Sequence, residues 1–309
     1  MLQHLLRWLP LSLLLGLGGC AVSGPPLERH EPAQAIELTE VPFYPQERFQ
    51  CGPAALAMVL TAGGTATEPE ALTEALYIPA REGSLQPELI AQTRQEGYVP
   101  YVLEGRFEAV LAELQAGRPV LVLQNLGLSW IPRWHYAVVV GYLPESRRVV
   151  LRSGLDARRL TPLGTFLRTW QRGEHWAMVA LRPGELPARG DPDAYLRAAF
   201  ELERAKQLPA AARAYEAGVS RWPEHAGLSL ALANILYAQN DAIAAESVLA
   251  QAIARGVESP LLYNNLAVLL SELGRHTEAE QAALRAVALG RSAEPYTATL
   301  EEVRAARNQ

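Results

Sequence analysis

The sequence predicts an α+β domain followed by an all-α solenoid, with a targeting segment in front. Three observations predict this. Between residues 39 and 182, helix-like segments come first and short apolar runs at turn spacing come after them, as in a helical lobe set against a mostly antiparallel sheet. From residue 194 onward the chain reads as helix throughout, and small residues recur every 34 positions: Ala199, Ala233 and Ala267; Ala211, Ala245 and Ala279; Gly218, Ala252 and Ala286. The first twenty residues hold an apolar run, 9–17, that ends in small residues and a cysteine. A chain of 309 residues, 49% of them hydrophobic, is long enough for two domains of this kind. Its formal net charge of −5 gives no electrostatic case for a nucleic-acid partner.

The targeting segment begins with His4 and Arg7, and its apolar run is too short to span a bilayer. Its ending, Leu17-Gly18-Gly19-Cys20, resembles the lipobox of bacterial lipoproteins. The resemblance implies a signal peptide over 1–19, cleavage before Cys20, and lipidation of that thiol, so that the membrane is a partner through the anchor. Ala21 follows Cys20 where an aspartate would otherwise direct retention, which points to the outer membrane, facing the periplasm. Residues 20–38, rich in Pro, Glu and small side chains, read as a tether.

In the domain over 39–182, residues 41–44 are an extended entry. A helix follows over 51–61: Pro53 sits in its first turn, where a missing N–H costs nothing, and Gly63-Gly64 ends it. Segments 68–77 and 86–96 predict two more helices, with Ser84 as a cap for the second and Gly97 as its stop. Residues 98–103 predict a strand, and 107–115 a helix stopped by Gly117. Strands are then expected at 119–123, 135–143 and 148–151, a helical piece at 166–170, and a last strand at 175–181. Residues 183–193 read as a linker by their Pro and Gly content. The 34-residue period after it, with Tyr195, Ser229 and Tyr263 in register, resembles the tetratricopeptide repeat. That likeness implies helix–turn–helix units, about three of them, with a capping helix after residue 294 and a protein partner.

The candidate chemistry centres on Cys51. A thiol at a helix start feels unpaired backbone N–H groups and the positive end of the helix dipole, and both favour the nucleophilic thiolate. With Cys20 lipidated, Cys51 would be the one free thiol of an exported chain, where thiols usually pair. Gln46, five residues earlier, can return an amide donor to the space beside the sulfur, as an oxyanion hole requires. A base is also needed. His135 and His175 are the two histidines of this domain, each at the start of an expected strand, and residue patterns leave both open. The loop 130–134 (WIPRW) reads either as an apolar wall of a substrate groove or as a core tryptophan pair. One cysteine and scattered histidines give no metal-ligand spacing, and nothing in the sequence calls for a cofactor.

Three blocks decide between the histidines: Gln46 with Cys51-Gly52-Pro53-Ala54-Ala55, Gly117-Arg118-Pro119-Val120, and His135-Tyr136-Ala137-Val138-Val139-Val140-Gly141-Tyr142. Together they resemble the papain-like cysteine peptidases related to the bacteriocin leader-processing enzymes, over about residues 38–182. The resemblance implies Cys51 as nucleophile, Gln46 as oxyanion donor and His135 as base. That family orients its histidine with an Asp or Asn on the next strand. Here Ser153 holds that register, with Asp156 and Asn125 as alternatives; a serine hydroxyl accepts the imidazole N–H but does not stabilise an imidazolium as a carboxylate does. The function expected is therefore a lipid-anchored thiol peptidase of the cell envelope, acting on a peptide or protein substrate, with repeats that recruit it or a protein partner. Acyl transfer to an amine or thiol, and an inert adaptor acting through the repeats, are the alternatives.

Overall fold

A computed structural model describes residues 34–46, 50–291 and 293–308. The expected signal peptide, the lipidated Cys20 and most of the tether lie outside the described residues. Residues 32–309 form one compact unit. No helix among the described residues is long and apolar enough to cross a membrane.

The first domain runs β1 (Ile36–Glu37), α1 (Cys51–Ala62), α2 (Pro69–Leu76), α3 (Gln86–Gln95), β2 (Val99–Val102), α4 (Phe107–Gln115), β3 (Val120–Asn125), β4 (Trp134–Leu143), β5 (Arg148–Ser153), β6 (Asp156–Pro162), α5 (Leu163–Gln171) and β7 (Ala177–Leu181). Its seven strands form one antiparallel sheet in the order β2-β7-β3-β4-β5-β6, with β1 also on β4. This is the α+β fold expected.

Helix α1 is apolar all round, and residues 52–60 are all buried. Such a helix must be enclosed. It lies between the sheet, where it meets Leu121, Val138, Val140 and Met178, and the helices α2 and α3. The alternate residues of the sheet face α4 and α5. A β-bulge between Val139 and Gly141 brings Tyr142 edge-on to Phe107 of α4, ring centroids 5.5 Å apart, and Phe107 continues into Phe166 at 5.8 Å.

Several sequence expectations are corrected here. The tether ends before residue 36. Six-residue β3 covers only the first part of ten-residue β4, and β1 fills the same edge beyond it, pairing Ile36 with Tyr142 and Glu37 with Gly141. A side chain at Gly141 would place its Cβ 2.5 Å from the Ile36 carbonyl oxygen, so that close approach needs glycine. Strand β6, which the sequence did not predict, is a largely exposed, Arg-rich edge. His175 is not on a strand: it sits in a turn at φ 53°, its N–H bonded to the Trp170 carbonyl at the end of α5, and β7 begins two residues later. Ser84 does not cap α3, which has no side-chain cap.

The second region is α6 (Pro192–Arg204), α7 (Leu208–Arg221), α8 (Ala226–Ala238), α9 (Ala242–Ala254), α10 (Pro260–Glu272), α11 (His276–Leu289) and α12 (Glu294–Arg307). Three helix pairs and a final helix match the predicted solenoid. All nine positions of the small-residue columns are buried, which is what lets paired helices approach closely. Asp191 caps α6, accepting from the Ala194 N–H at 2.8 Å, with Pro192 in the first turn. The segment before α6, expected as a plain linker, is fastened to the first domain. Ala188 N–H donates to Glu113 Oε1 (2.7 Å), and Asp191 N–H to the Tyr101 hydroxyl (3.3 Å). Helix α6 then packs on β2 and α3, with Tyr195 6.5 Å from Tyr101 and an Arg94–Glu201 ion pair.

Candidate active site

Cys51 opens α1, and the burial of that helix fixes the thiol against the sheet. Its sulfur receives backbone N–H groups from Tyr136, Gly52 and Cys51 itself. These pull the thiol pKa down, as a helix start should. Burial acts in the opposite direction and outweighs them, so the thiol titrates above its ordinary value. The expectation of a resting thiolate is thereby corrected: α1 is enclosed on every side, and desolvation decides the charge state.

His135 is the second residue of β4, paired with Gln124 on β3. Its Nε2 lies 2.8 Å from Ser153 Oγ at the end of β5. Burial, joined by the nearby Arg159 and Arg133, pushes the imidazole down to about 4, so it is neutral at ordinary pH. With Nε2 engaged by Ser153, Nδ1 is the ring nitrogen left for another group. The Tyr136 peptide joins the two halves of the site. Its N–H reaches the Cys51 sulfur, and it directly follows His135 in β4.

Gln46 is buried beside this peptide. Its Nε2 donates to the Tyr136 carbonyl (3.1 Å), and its Oε1 accepts from the Gly154 N–H (2.7 Å). Its own N–H donates to the Gly154 carbonyl (2.9 Å). The amide is therefore a strut between β4 and the β5–β6 turn, with a second Nε2 hydrogen beyond the one that Tyr136 receives.

Of the three residues considered for orienting the histidine, Ser153 is the one at the ring. Asp156 is exposed and pairs with Arg159 at 3.2 Å. Asn125 organises the following loop, its Oδ1 accepting from the N–H groups of Gly127 and Arg133, both at 2.9 Å. His175 packs edge-on against Trp170, 4.9 Å between centroids. The loop tryptophans are not a core pair: Trp130 is 75% exposed and Trp134 56%, and Trp134 borders the cavity beside Cys51.

Sequence reasoning missed Arg152. Its buried guanidinium donates to the carbonyls of Thr39 (3.2 Å), Val41 (3.0 Å) and Ala157. It thus ties residues 39–41 to the β5–β6 hairpin that carries Ser153 and Gly154. An arginine at an expected strand end reads as a solvated residue, and no local pattern marks it otherwise.

A cavity of about 440 Å³ opens beside Cys51, between Tyr136 and Leu123 on the sheet side, the segment 81–86, and the turn at Gly173 and Glu174. Among the described residues, no group of three His, Cys, Asp or Glu side chains is placed to hold a metal ion.

Residues 38–177 match the model of the Peptidase_C39 like family. No curated protein matches the chain. Among solved structures it is similar to a C39-like peptidase from Bacillus anthracis, at 18% identity over 48% of this chain and 98% of that one, with a TM-score of 0.42. It is also similar to the first tetratricopeptide-repeat domain of Spaghetti (RPAP3) bound to an HSP90 peptide. There the identity is 17% over 38% of this chain and 94% of that one, with a TM-score of 0.35.

Proposed function

We propose that the domain over 39–182 is a cysteine peptidase with Cys51 as nucleophile and His135 as base. The observation that carries this reading is the Tyr136 peptide, which has its N–H on the Cys51 sulfur and follows a histidine whose far nitrogen is held by Ser153. If Nε2–H donates to Ser153 Oγ, Nδ1 bears the lone pair a base needs. Thiol and imidazole are both neutral at rest. The thiol proton passes to Nδ1 as sulfur attacks the peptide carbonyl, and the oxyanion meets the Cys51 N–H and the second Nε2 hydrogen of Gln46. The C–N bond breaks as the imidazolium returns its proton to the leaving amine. Water, deprotonated by His135, then cleaves the thioester and releases the acid and the free thiol.

The Leu-Gly-Gly-Cys segment supports a lipid-anchored protein of the cell envelope, at the outer membrane and facing the periplasm, and the repeats serve to recruit a protein substrate or partner. A second reading, an adaptor with an inert domain, draws on Ser153, because a neutral hydroxyl gives an imidazolium little support. Hydrolysis of a casein digest by the full chain, followed by mass spectrometry, separates the two. We expect Cys51→Ala and His135→Ala to lower hydrolysis at least about 10³-fold with unchanged circular dichroism. Wild-type turnover equal to that of the variants would leave the adaptor. Products carrying an added amine in place of water would identify acyl transfer.

A further inference from the structure

We infer that the cavity beside Cys51 is a pocket for a basic side chain, Lys or Arg, of the polypeptide substrate next to the scissile bond. The inference rests on the peptidase reading and names the substrate class of that site. The volume of about 440 Å³ falls in the range of side-chain and small-ligand pockets.

Two buried polar groups, one on its wall and one on the helix behind, have no hydrogen-bond partner among the described residues. Ser84 Oγ is buried on the cavity wall and has no hydrogen-bond partner among the described residues. Gly52 makes room for it: a Cβ at that position would lie 2.3 Å from the hydroxyl oxygen. Glu88 Oε2, one turn along the helix that follows Ser84, is likewise buried and unpartnered. Its carboxylate acts on the Tyr136 phenol, which is raised first by burial and then by Cys51 and Glu88. Buried polar groups of this kind are rare in folded proteins, and each calls for a partner.

The mouth adds charge. Glu82 and Glu174 reach it from two separate turns, each with left-handed backbone (φ 49° and 57°), where glycine is the easier residue. Neither carboxylate has an ion pair or hydrogen bond among the described residues. Arg81 is the one cation on the described lining, so two free carboxylates face one guanidinium. A long cationic side chain suits both parts. Its stem can lie on Leu123 and the ring of Trp134, and its donors meet the carboxylates and the Ser84 hydroxyl. An acidic side chain would meet two carboxylates against the single Arg81 guanidinium.

The test uses the full chain and peptidyl acyloxymethyl ketones carrying Arg, citrulline or Glu at the two positions nearest the warhead. The rate of Cys51 modification is read by mass spectrometry. Arg should modify at least about tenfold faster than its neutral isostere citrulline at one of the positions, with Glu slowest. The Arg-to-citrulline ratio should fall to about one in Glu82→Gln/Glu174→Gln, and Glu82→Arg/Glu174→Arg should place the Glu probe ahead of Arg. Equal rates for Arg and citrulline, or a preference unchanged in the Gln variant, would overturn this inference while leaving the peptidase reading standing. Failure of every probe, together with absent hydrolysis, would overturn both.

Discussion

The two halves of this chain are held together in opposite ways. Of the buried polar and charged side chains among the described residues, nine lie in the first domain, from Gln46 to Thr169, and two, Ser229 and Thr299, lie in the repeats. The first domain uses them as long-range clamps. Gln46 bonds residues 90 and 108 positions away, and Arg152 reaches back 111. The repeats fold by recurrence, with alanine columns inside and ion pairs outside, such as Arg275 with Glu246 and Glu278. A site built from distant clamps should fail as a whole when one clamp goes, whereas a stack of near-neighbour units should fail locally.

Arg152→Met tests the first half of that contrast hardest. It leaves the carbonyls of Thr39, Val41 and Ala157 without their buried donor. A loss of about 3 kcal/mol or more in urea unfolding is expected, together with slower Cys51 alkylation. Arg152→Lys should fall between, since an ammonium does not reproduce the fork. Ala245→Leu is the matching change in the repeats. Ala245 on α9 is fully buried, and the extra methylenes should cost about 1–3 kcal/mol. Hydrogen exchange should rise in α8, α9 and α10 while the rate of Cys51 alkylation stays as in wild type. A global collapse on Ala245→Leu, or a purely local effect of Arg152→Met, would break the contrast.

The polar interior of the first domain also sets its response to acid. Unfolded, His135 titrates near 6.5; folded, it resists protonation down to about 4. Its contribution is therefore complete above pH 6.5 and is lost as the pH falls through that window, by up to about 3 kcal/mol. The acid limb of activity should sit near pH 4. Ser153→Asp places a carboxylate at Nε2 and should raise that limb by about 1–2 pH units. An unmoved limb would mean that Ser153 does not face the titrating ring.

The same contrast explains what could be read in advance. The repeats were legible because their information is periodic: each column recurs at 34 residues and each position is buried for the same reason. Helix α1 and strand β4 were legible because Gly-Pro followed by an apolar run, and HYAVVVGYL, are local signals. The orienting residue was legible only in part: register put Ser153 at that place, but Asp156 and Asn125 stood as alternatives. What separates them is that Asp156 pairs with Arg159 and Asn125 folds its own loop. The charge state of Cys51 was misjudged for a similar reason. A helix start is visible in sequence, whereas the amount of protein packed over it is not. Strand β6 escaped because DARRLTP has no apolar alternation, and as an edge strand it needs none.

The smallest effect expected is the most direct check on the repeats' side of the contrast. Arg275 bridges Glu246 on α9 and Glu278 on α11, at 3.0 and 2.7 Å, and so joins adjacent units from outside. Its side chain is 43% exposed, and solvent and salt screen such pairs strongly. Arg275→Ala should therefore shift the melting temperature by less than about 2 °C, and the shift should vanish in 1 M NaCl. A larger, salt-insensitive shift would mean that the solenoid relies on specific polar ties between units. Its stability would then rest on the kind of clamp that holds the first domain, and the alanine columns alone would not explain how it stacks.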